Sequence, residues 1–437
     1  MATQPERAAA PAGRIRRRTI ESQRSMRRPR AYTPNLFPPA ASHGNTVAGS
    51  LASPPPLDDL QIGKPAAPSA TSAAMPVPIA CPDRASSEFT PRRGAPPKEQ
   101  LVGIAKLAAN SPLTQEKRQT EYFLLPVRTV LNRCDSPRMP FEWTINPYRG
   151  CEFGCRYCYA RYTHEFMELD GAEFEKKIFV KRDAAALLEQ DMNEESARIS
   201  SMFGKPEQIA LGSATDPYQP AEREFGVTRS LLEKMAERDG LDLVITTKSD
   251  LIVRDIDLLQ RINERSTLTI NVSITTPRTR LARMIEPRAP RPDLRFAAVR
   301  KLRDAGLHAG VFVMPILPGL TDREADLEKL AASAHEAKAE WFAGAVVWLM
   351  PAARNTLLPF LEEHFPKLAR GYRKWYTQSA YAPQHYREEI ALRVSRVRSR
   401  YRMGTRPYFT SPRALGAQPH PAARPQAQLS LGLRAAS

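Results

Sequence analysis

The chain has 437 residues, 42% of them hydrophobic and 25% charged, with a formal net charge of +17. That is enough apolar material for one large domain or two ordinary ones, and it excludes a small stapled scaffold. Five cysteines, three of them inside eight residues, form an odd set without even spacing, which argues against a disulfide framework and for a reducing compartment.

Residues 1–100 hold 17 of the 40 prolines and sustain no apolar periodicity, so they are expected to form a disordered tail. The charge is uneven. Residues 1–30 carry nine arginines and two glutamates, and residues 390–437 carry nine arginines and no acid, which leaves the centre about neutral. Basic tails on a neutral body suit contact with phosphate backbones; the alternative is an arginine- and proline-rich composition whose tails are merely solvated. No apolar run approaches the ~20 residues of a membrane span, and the first residues lack the apolar segment of a secretory signal. A cytoplasmic protein with no membrane association is expected.

From about residue 120 short β-branched runs alternate with amphipathic ones. Strands are predicted over 142–146, 208–213, 241–248, 267–274, 308–316 and 344–350. Helices are predicted near 156–168, 221–238, 255–264, 292–305 and 322–338, with an extra one near 183–200. Such alternation gives an α/β fold with a parallel sheet, either doubly wound or curled into a partial barrel. The expected organisation is a basic, proline- and alanine-rich tail over 1–100, a catalytic α/β body over 120–350, a helical extension over 351–405 and a second basic tail over 406–437.

The segment "NPYRGCEFGCRYCYAR" (146–161) follows the first predicted strand, at the end where working residues gather in parallel sheets. Its Cys151, Cys155 and Cys158 are soft ligands suited to zinc, copper(I) or iron-sulfur clusters. A structural zinc site would want a fourth ligand, and only His164 stands nearby. A four-iron cubane held at three corners instead leaves one iron open. Tyr157, just before the last cysteine, is an aromatic suited to stack beside an adenine.

At these residues the sequence resembles the radical S-adenosylmethionine (SAM) superfamily. The strings "TDPYQPAERE" (215–224), "TTKSDLIVRDIDLL" (246–259) and "PILPGLTD" (315–322) resemble its spore photoproduct lyase-like branch, over roughly residues 120–350. The resemblance implies a partial (β/α)6 barrel. It also implies a 4Fe-4S cluster on the three cysteines, SAM on the open iron, and one-electron cleavage of SAM to a 5′-deoxyadenosyl radical that abstracts hydrogen from a substrate. It carries SAM contacts over to Lys248 and Ser273, and to Gly212, Ser213, Thr215 and Asp216 in the loop after the second strand. Tyr157 and Tyr159 match tyrosines of the lyase hydrogen-transfer path. An electron donor such as flavodoxin or ferredoxin is implied as a partner. No cysteine follows Cys158, whereas the lyase uses a downstream cysteine to return a hydrogen atom, so its thymine-dimer repair does not carry over directly.

The favoured substrate is a nucleic acid, in DNA repair or modification. The alternatives are a radical SAM enzyme acting on a protein or small molecule, and a non-catalytic iron-sulfur DNA-binding protein. Cys81 and Cys134 are read as ordinary thiols, and the pair His164 and Glu165, near the end of the helix after the cysteines, as a local cap or pair rather than a metal site. "RMIEPRAPRPDLR" (283–295) has no derivable role. Near the end, Gln428, Leu429, Leu431 and Leu433 resemble the short peptides by which bacterial repair proteins dock on the DNA sliding clamp.

Overall fold

The computed structural model describes residues 92–405 except 118, 136–138 and 200–205. The expectations for Cys81, for most of the N-terminal tail and for the clamp-like motif at Gln428 to Leu433 lie outside the described residues. The N-terminal boundary moves, however. Residues 92–100 are docked: the Arg92 backbone N–H donates to Glu168 O at 2.6 Å, and its side chain pairs with the Glu168 carboxylate at 2.8 Å.

Eleven strands among the described residues form two sheets. The small sheet contains β1 (Leu113–Lys117), β2 (Thr120–Leu124), β5 (Tyr148–Arg149) and β6 (Lys177–Val180), in the order β1-β2-β6-β5. The large one contains β3 (Leu131–Arg133), β4 (Trp143–Ile145), β7 (Ile209–Leu211), β8 (Asp242–Thr247), β9 (Thr267–Ser273), β10 (Ala309–Ile316) and β11 (Phe342–Val346). Its order is β11-β10-β9-β8-β7-β4-β3, with the six strands from β4 to β11 parallel and in sequential order and β3 antiparallel at the edge. Sequential order follows from the alternation: each crossover helix returns the chain to the same side of the last strand. Every residue of β9 is buried, as expected of a parallel strand covered on both faces.

The sequence reading locates all six parallel strands. It sets the last one late: the strand starts at Phe342 and ends at Val346, and Trp348 beyond it bridges to Tyr381 instead. The helix predicted over 156–168 is replaced by a 3-10 turn (Tyr159–Arg161) and one helical turn (Tyr162–Glu165), because the preceding cysteine loop coils tightly and Glu168 turns out at a φ of 59°. The helix predicted over 221–238 is broken at Gly226, which adopts a left-handed conformation. The small sheet was not anticipated; its strands are too short for a periodic signature. Beyond β11 three helices (Pro351–His364, Pro366–Tyr376, Gln384–Arg400) pack on the body, and Gly404 returns to accept from the Phe342 N–H at 3.1 Å. Among the described residues no helix is long and apolar enough to cross a membrane.

Candidate active site

The cysteine loop leaves the carboxyl end of β4, passes through β5 and is moored from several sides. Gly150 has a φ of +84°, and a Cβ there would lie 2.7 Å from Lys177 O and 2.8 Å from Phe174 O, so only glycine admits the turn. The Cys151 N–H donates to Phe174 O (3.0 Å), and the Arg156 N–H to Ile285 O (2.9 Å). Arg161, fully buried, donates to Cys155 O at 3.1 Å while pairing with Glu175 at 2.6 Å. Gly150 O accepts from Thr215 Oγ1 (2.6 Å) and Gln219 Nε2 (3.1 Å), and Gln219 Oε1 accepts from the Glu152 N–H (2.9 Å). The loop is therefore held from several sides by the chain's own hydrogen bonds.

Cys151 and Cys155 are buried and Cys158 half-buried; all three are free thiols. Burial raises each thiol, Cys155 to about 12 even against the pull of Lys248. The Cys151 thiol is pushed further up by Asp216 and the two other sulfurs. Three thiolates here thus need external positive charge. Among the described residues no group of three or more His, Cys, Asp or Glu converges on a single ion. His164 is buried and neutral, held down to about 3 by desolvation, with Nε2 on Lys177 O at 3.0 Å and its ring against Phe174 and Phe179, so it packs in the core instead of capping or pairing locally.

The loop after β7 folds against the loop after β8. Gly212 has a φ of +89°, and a Cβ would stand 2.5 Å from Pro217 Cδ. Asn146 at the end of β4 holds this turn, donating to Ser213 Oγ (3.1 Å) and accepting from the Ala214 N–H (2.7 Å). Asp216 Oδ1 accepts from Thr247 Oγ1 (2.6 Å) and the Tyr218 N–H (3.0 Å), and its Oδ2 accepts from the Lys248 N–H (2.7 Å). The structure thus gives Asp216 and Thr215 internal partners, Asp216 clamping the two loops and Thr215 the cysteine loop. The Lys248 ammonium lies 5.8 Å from the centre of the Tyr157 ring. Burial opposes its charge, but Cys155, Glu286 and Asp216 outweigh it and leave its pKa raised.

Tyr157 is anchored at its hydroxyl by Glu286 Oε1 and by Thr275 Oγ1 at 3.1 Å. Thr275 also donates to Glu286 at 2.6 Å, and Arg295 closes the network on Glu286 Oε2 (2.5 Å) and Ser273 O (3.0 Å). Ser273 itself is buried at the end of β9. Tyr159 donates to Ser213 O and lies against Tyr162 (6.5 Å) and Trp348 (5.8 Å). Cys134 lies between β3 and β4, ahead of the first parallel strand, and is buried with Phe141 and Ala210.

Tyr157, Lys248 and Ser273 are thus joined through Glu286 and Arg295, two residues to which sequence reasoning gave no role. The available signal was an acid in a proline-rich turn and an arginine inside the helix predicted over 292–305. A basic cleft of about 400 Å³ adjoins the outer side of the cysteine loop, lined by Phe153, Arg223, Arg283, Arg288 and Arg291, with Asp250 among its walls.

These features define a parallel α/β protein with a cysteine loop and a buried charge network at the carboxyl ends of its strands. Residues 145–331 match the family model described as the radical SAM superfamily. An uncharacterized protein of Mycobacterium tuberculosis is 33% identical over 278 residues, which cover 63% of this chain and 79% of that one. An uncharacterized protein of Methanocaldococcus jannaschii is 31% identical over 183 residues, covering 42% and 63%. Among solved structures, spore photoproduct lyase complexed with dinucleoside spore photoproduct aligns with a TM-score of 0.49 at 19% identity, covering 70% of this chain and 87% of that one. The chain belongs to the radical SAM superfamily and is a radical SAM enzyme. Membership implies an iron-sulfur cluster and SAM binding in general terms.

Proposed function

We propose that the protein is a spore photoproduct lyase-like enzyme that cleaves SAM reductively and abstracts a hydrogen atom from a nucleic-acid substrate, in DNA repair or modification. In this reading the six parallel strands form a partial (β/α)6 barrel. Cys151, Cys155 and Cys158 hold a 4Fe-4S cluster, which when bound supplies the electron that breaks a carbon-sulfur bond of SAM. The donor set fits that group. Burial disfavours the thiolate forms of Cys151, Cys155 and Cys158, and neighbouring sulfurs add to this at the first two, so these residues would hold a group that supplies positive charge to all three.

The remaining work falls to the chain's own residues. Lys248, kept charged by its acidic surroundings, offers a cation to the SAM carboxylate. Ser273 offers a hydroxyl to SAM from the end of β9, and Gly212 and Ser213 offer backbone from the turn after β7. Tyr157 presents a ring fixed by its hydroxyl, against which the adenine stacks. Thr215 and Asp216 position these loops. Tyr159 marks the substrate side, beside Trp348. The basic cleft beside Phe153 suits an acidic one-electron donor such as flavodoxin or ferredoxin, and the arginine-rich tails suit a nucleic-acid partner.

The observation that carries the reading is a loop bringing three free thiols to the carboxyl end of β4, with the Lys248 ammonium of the loop after β8 held over its Tyr157. The test is anaerobic reconstitution with iron, sulfide and dithionite, followed by measurement of 5′-deoxyadenosine from SAM with and without DNA. SAM-dependent product that increases with DNA is expected. Absence of 5′-deoxyadenosine from iron-replete protein would sink the catalytic reading, and product indifferent to DNA would sink the nucleic-acid substrate.

A further inference from the structure

Arg149 and Lys181 are neighbours on one face of the small sheet. Arg149 in β5 pairs with Phe179 in β6 in antiparallel register, and side chains two apart along a strand share a face, so Lys181, one residue past the end of β6, follows Phe179 on the side of Arg149. The Lys181 N–H extends the pairing by donating to Pro147 O at 3.3 Å. Lys181 is only 4% exposed, and Arg149 Nε is sealed from solvent with no hydrogen-bond partner, although the residue as a whole keeps a partial opening to solvent.

Neither side chain has a salt bridge or hydrogen-bond partner among the described residues. The acid that favours the charged form of Lys181 is Asp191, and its Oδ2 is already occupied by Thr129 Oγ1 (2.8 Å), the Val130 N–H (2.8 Å) and the Leu131 N–H (3.0 Å). Burial first, and then Arg149, pull Lys181 down to about 7. The same surroundings include the hydroxyl of Tyr162 and the buried ring of His164, both of which feel the Arg149 charge.

A buried ammonium beside a half-buried guanidinium, with no carboxylate paired to either, is costly, and native structures retain such groups when something outside the chain satisfies them. A planar guanidinium beside an ammonium is the donor set that suits a tetrahedral oxyanion. The location is also informative. Arg149 stands two residues before Cys151, and Tyr162, whose hydroxyl feels the Arg149 charge, stacks on Tyr159.

We propose that Arg149 and Lys181 form a phosphate-binding subsite; that the phosphate belongs to the substrate rests on the nucleic-acid reading above. The subsite stands on these two side chains and requires no cluster, so it can be tested apart from the catalytic reading.

The full chain, purified in buffer free of phosphate and sulfate, is titrated with inorganic phosphate by calorimetry and followed by thermal melting, alongside Arg149→Gln and Lys181→Met. Wild type is expected to bind phosphate and melt higher in its presence; each variant should lose about 10- to 100-fold in affinity, the range of a charged hydrogen bond. Without phosphate, Lys181→Met should melt at or above wild type, because the substitution removes an uncompensated charge. No phosphate response in wild type would overturn the subsite. So would an equal response in all three proteins, which would assign binding to the basic tails. A marked loss of stability in phosphate-free Lys181→Met would also overturn it, by making Lys181 a satisfied structural residue. In a second arm the probe is the dinucleotide thymidylyl-thymidine. Its binding in wild type alone extends the subsite to phosphodiesters, whereas binding of inorganic phosphate alone upholds the subsite and counts only against the nucleic-acid substrate.

Discussion

Arg295 Nη2 donates to Glu286 Oε2 at 2.5 Å with both side chains 1% exposed, and this pair holds the carboxylate that anchors the Tyr157 hydroxyl. Burial pushes the Glu286 carboxyl up, but Arg295, Lys248 and the hydroxyls of Thr275 and Tyr157 outweigh it and hold it below the usual range. Removing one partner strands the other as a buried charge. Arg295→Met is therefore expected to cost about 3–5 kcal/mol in chemical denaturation. The double variant Arg295→Met, Glu286→Leu should cost less than the sum of the two single changes. Strict additivity would mean that the two side chains do not act as a pair.

Replacing Cys151, Cys155 or Cys158 with alanine should abolish 5′-deoxyadenosine formation and leave the reconstituted protein short of iron. Cys134→Ala, with its thiol packed against Phe141 and Ala210, should leave both near wild type. Iron and sulfide analysis of anaerobically reconstituted protein checks this; a full iron complement in the triple variant would move the cluster elsewhere.

Lys248→Ala and Ser273→Ala should weaken SAM binding while keeping the cluster, each by about 1.5–3 kcal/mol if the lost contact is a charged hydrogen bond. Equilibrium binding of SAM to the reconstituted variants, with the visible absorption of the cluster as control, separates the two effects. Asp216→Asn should act less directly. Its carboxylate engages Thr247, Tyr218 and the Lys248 backbone, so it is expected to lower melting temperature as well as SAM affinity.

A pH dependence follows from His164. Its pKa is about 3 in the folded chain against ~6.5 when unfolded, because burial disfavours the imidazolium. Between those values the unfolded state binds the extra proton. Stability from this group is thus complete above pH ~6.5 and declines by roughly 1.4 kcal/mol per unit as pH falls toward 3. His164→Phe should flatten that part of the profile in urea denaturation measured from pH 7 to 5. An unchanged slope would assign the acid sensitivity to other groups.

The parallel strands were legible because each is a short β-branched run bounded by turn residues, and period and composition are local properties that survive in one dimension. The cysteine loop was legible for a similar reason: the spacing of Cys151, Cys155 and Cys158 along one short stretch already limits which metal group they suit. The small sheet was not, since β5 has two residues and owes its existence to pairing with β6, more than 25 positions away. The helix over 156–168 failed because the moorings of the cysteine loop override local propensity.

By itself, then, the sequence determined the alternating α/β order and the identity of the candidate cluster ligands, since both are written in neighbouring residues. Only the tertiary structure decided which charges are neutralised and which are left over. Glu286 reaches Tyr157 across 129 positions, Asp216 turns inward to clamp two loops, and Arg149 and Lys181 share one sheet face without a carboxylate paired to either. The physical reason is that the cost of a charge depends on its burial and its partners in space, and neither is encoded in the residues beside it.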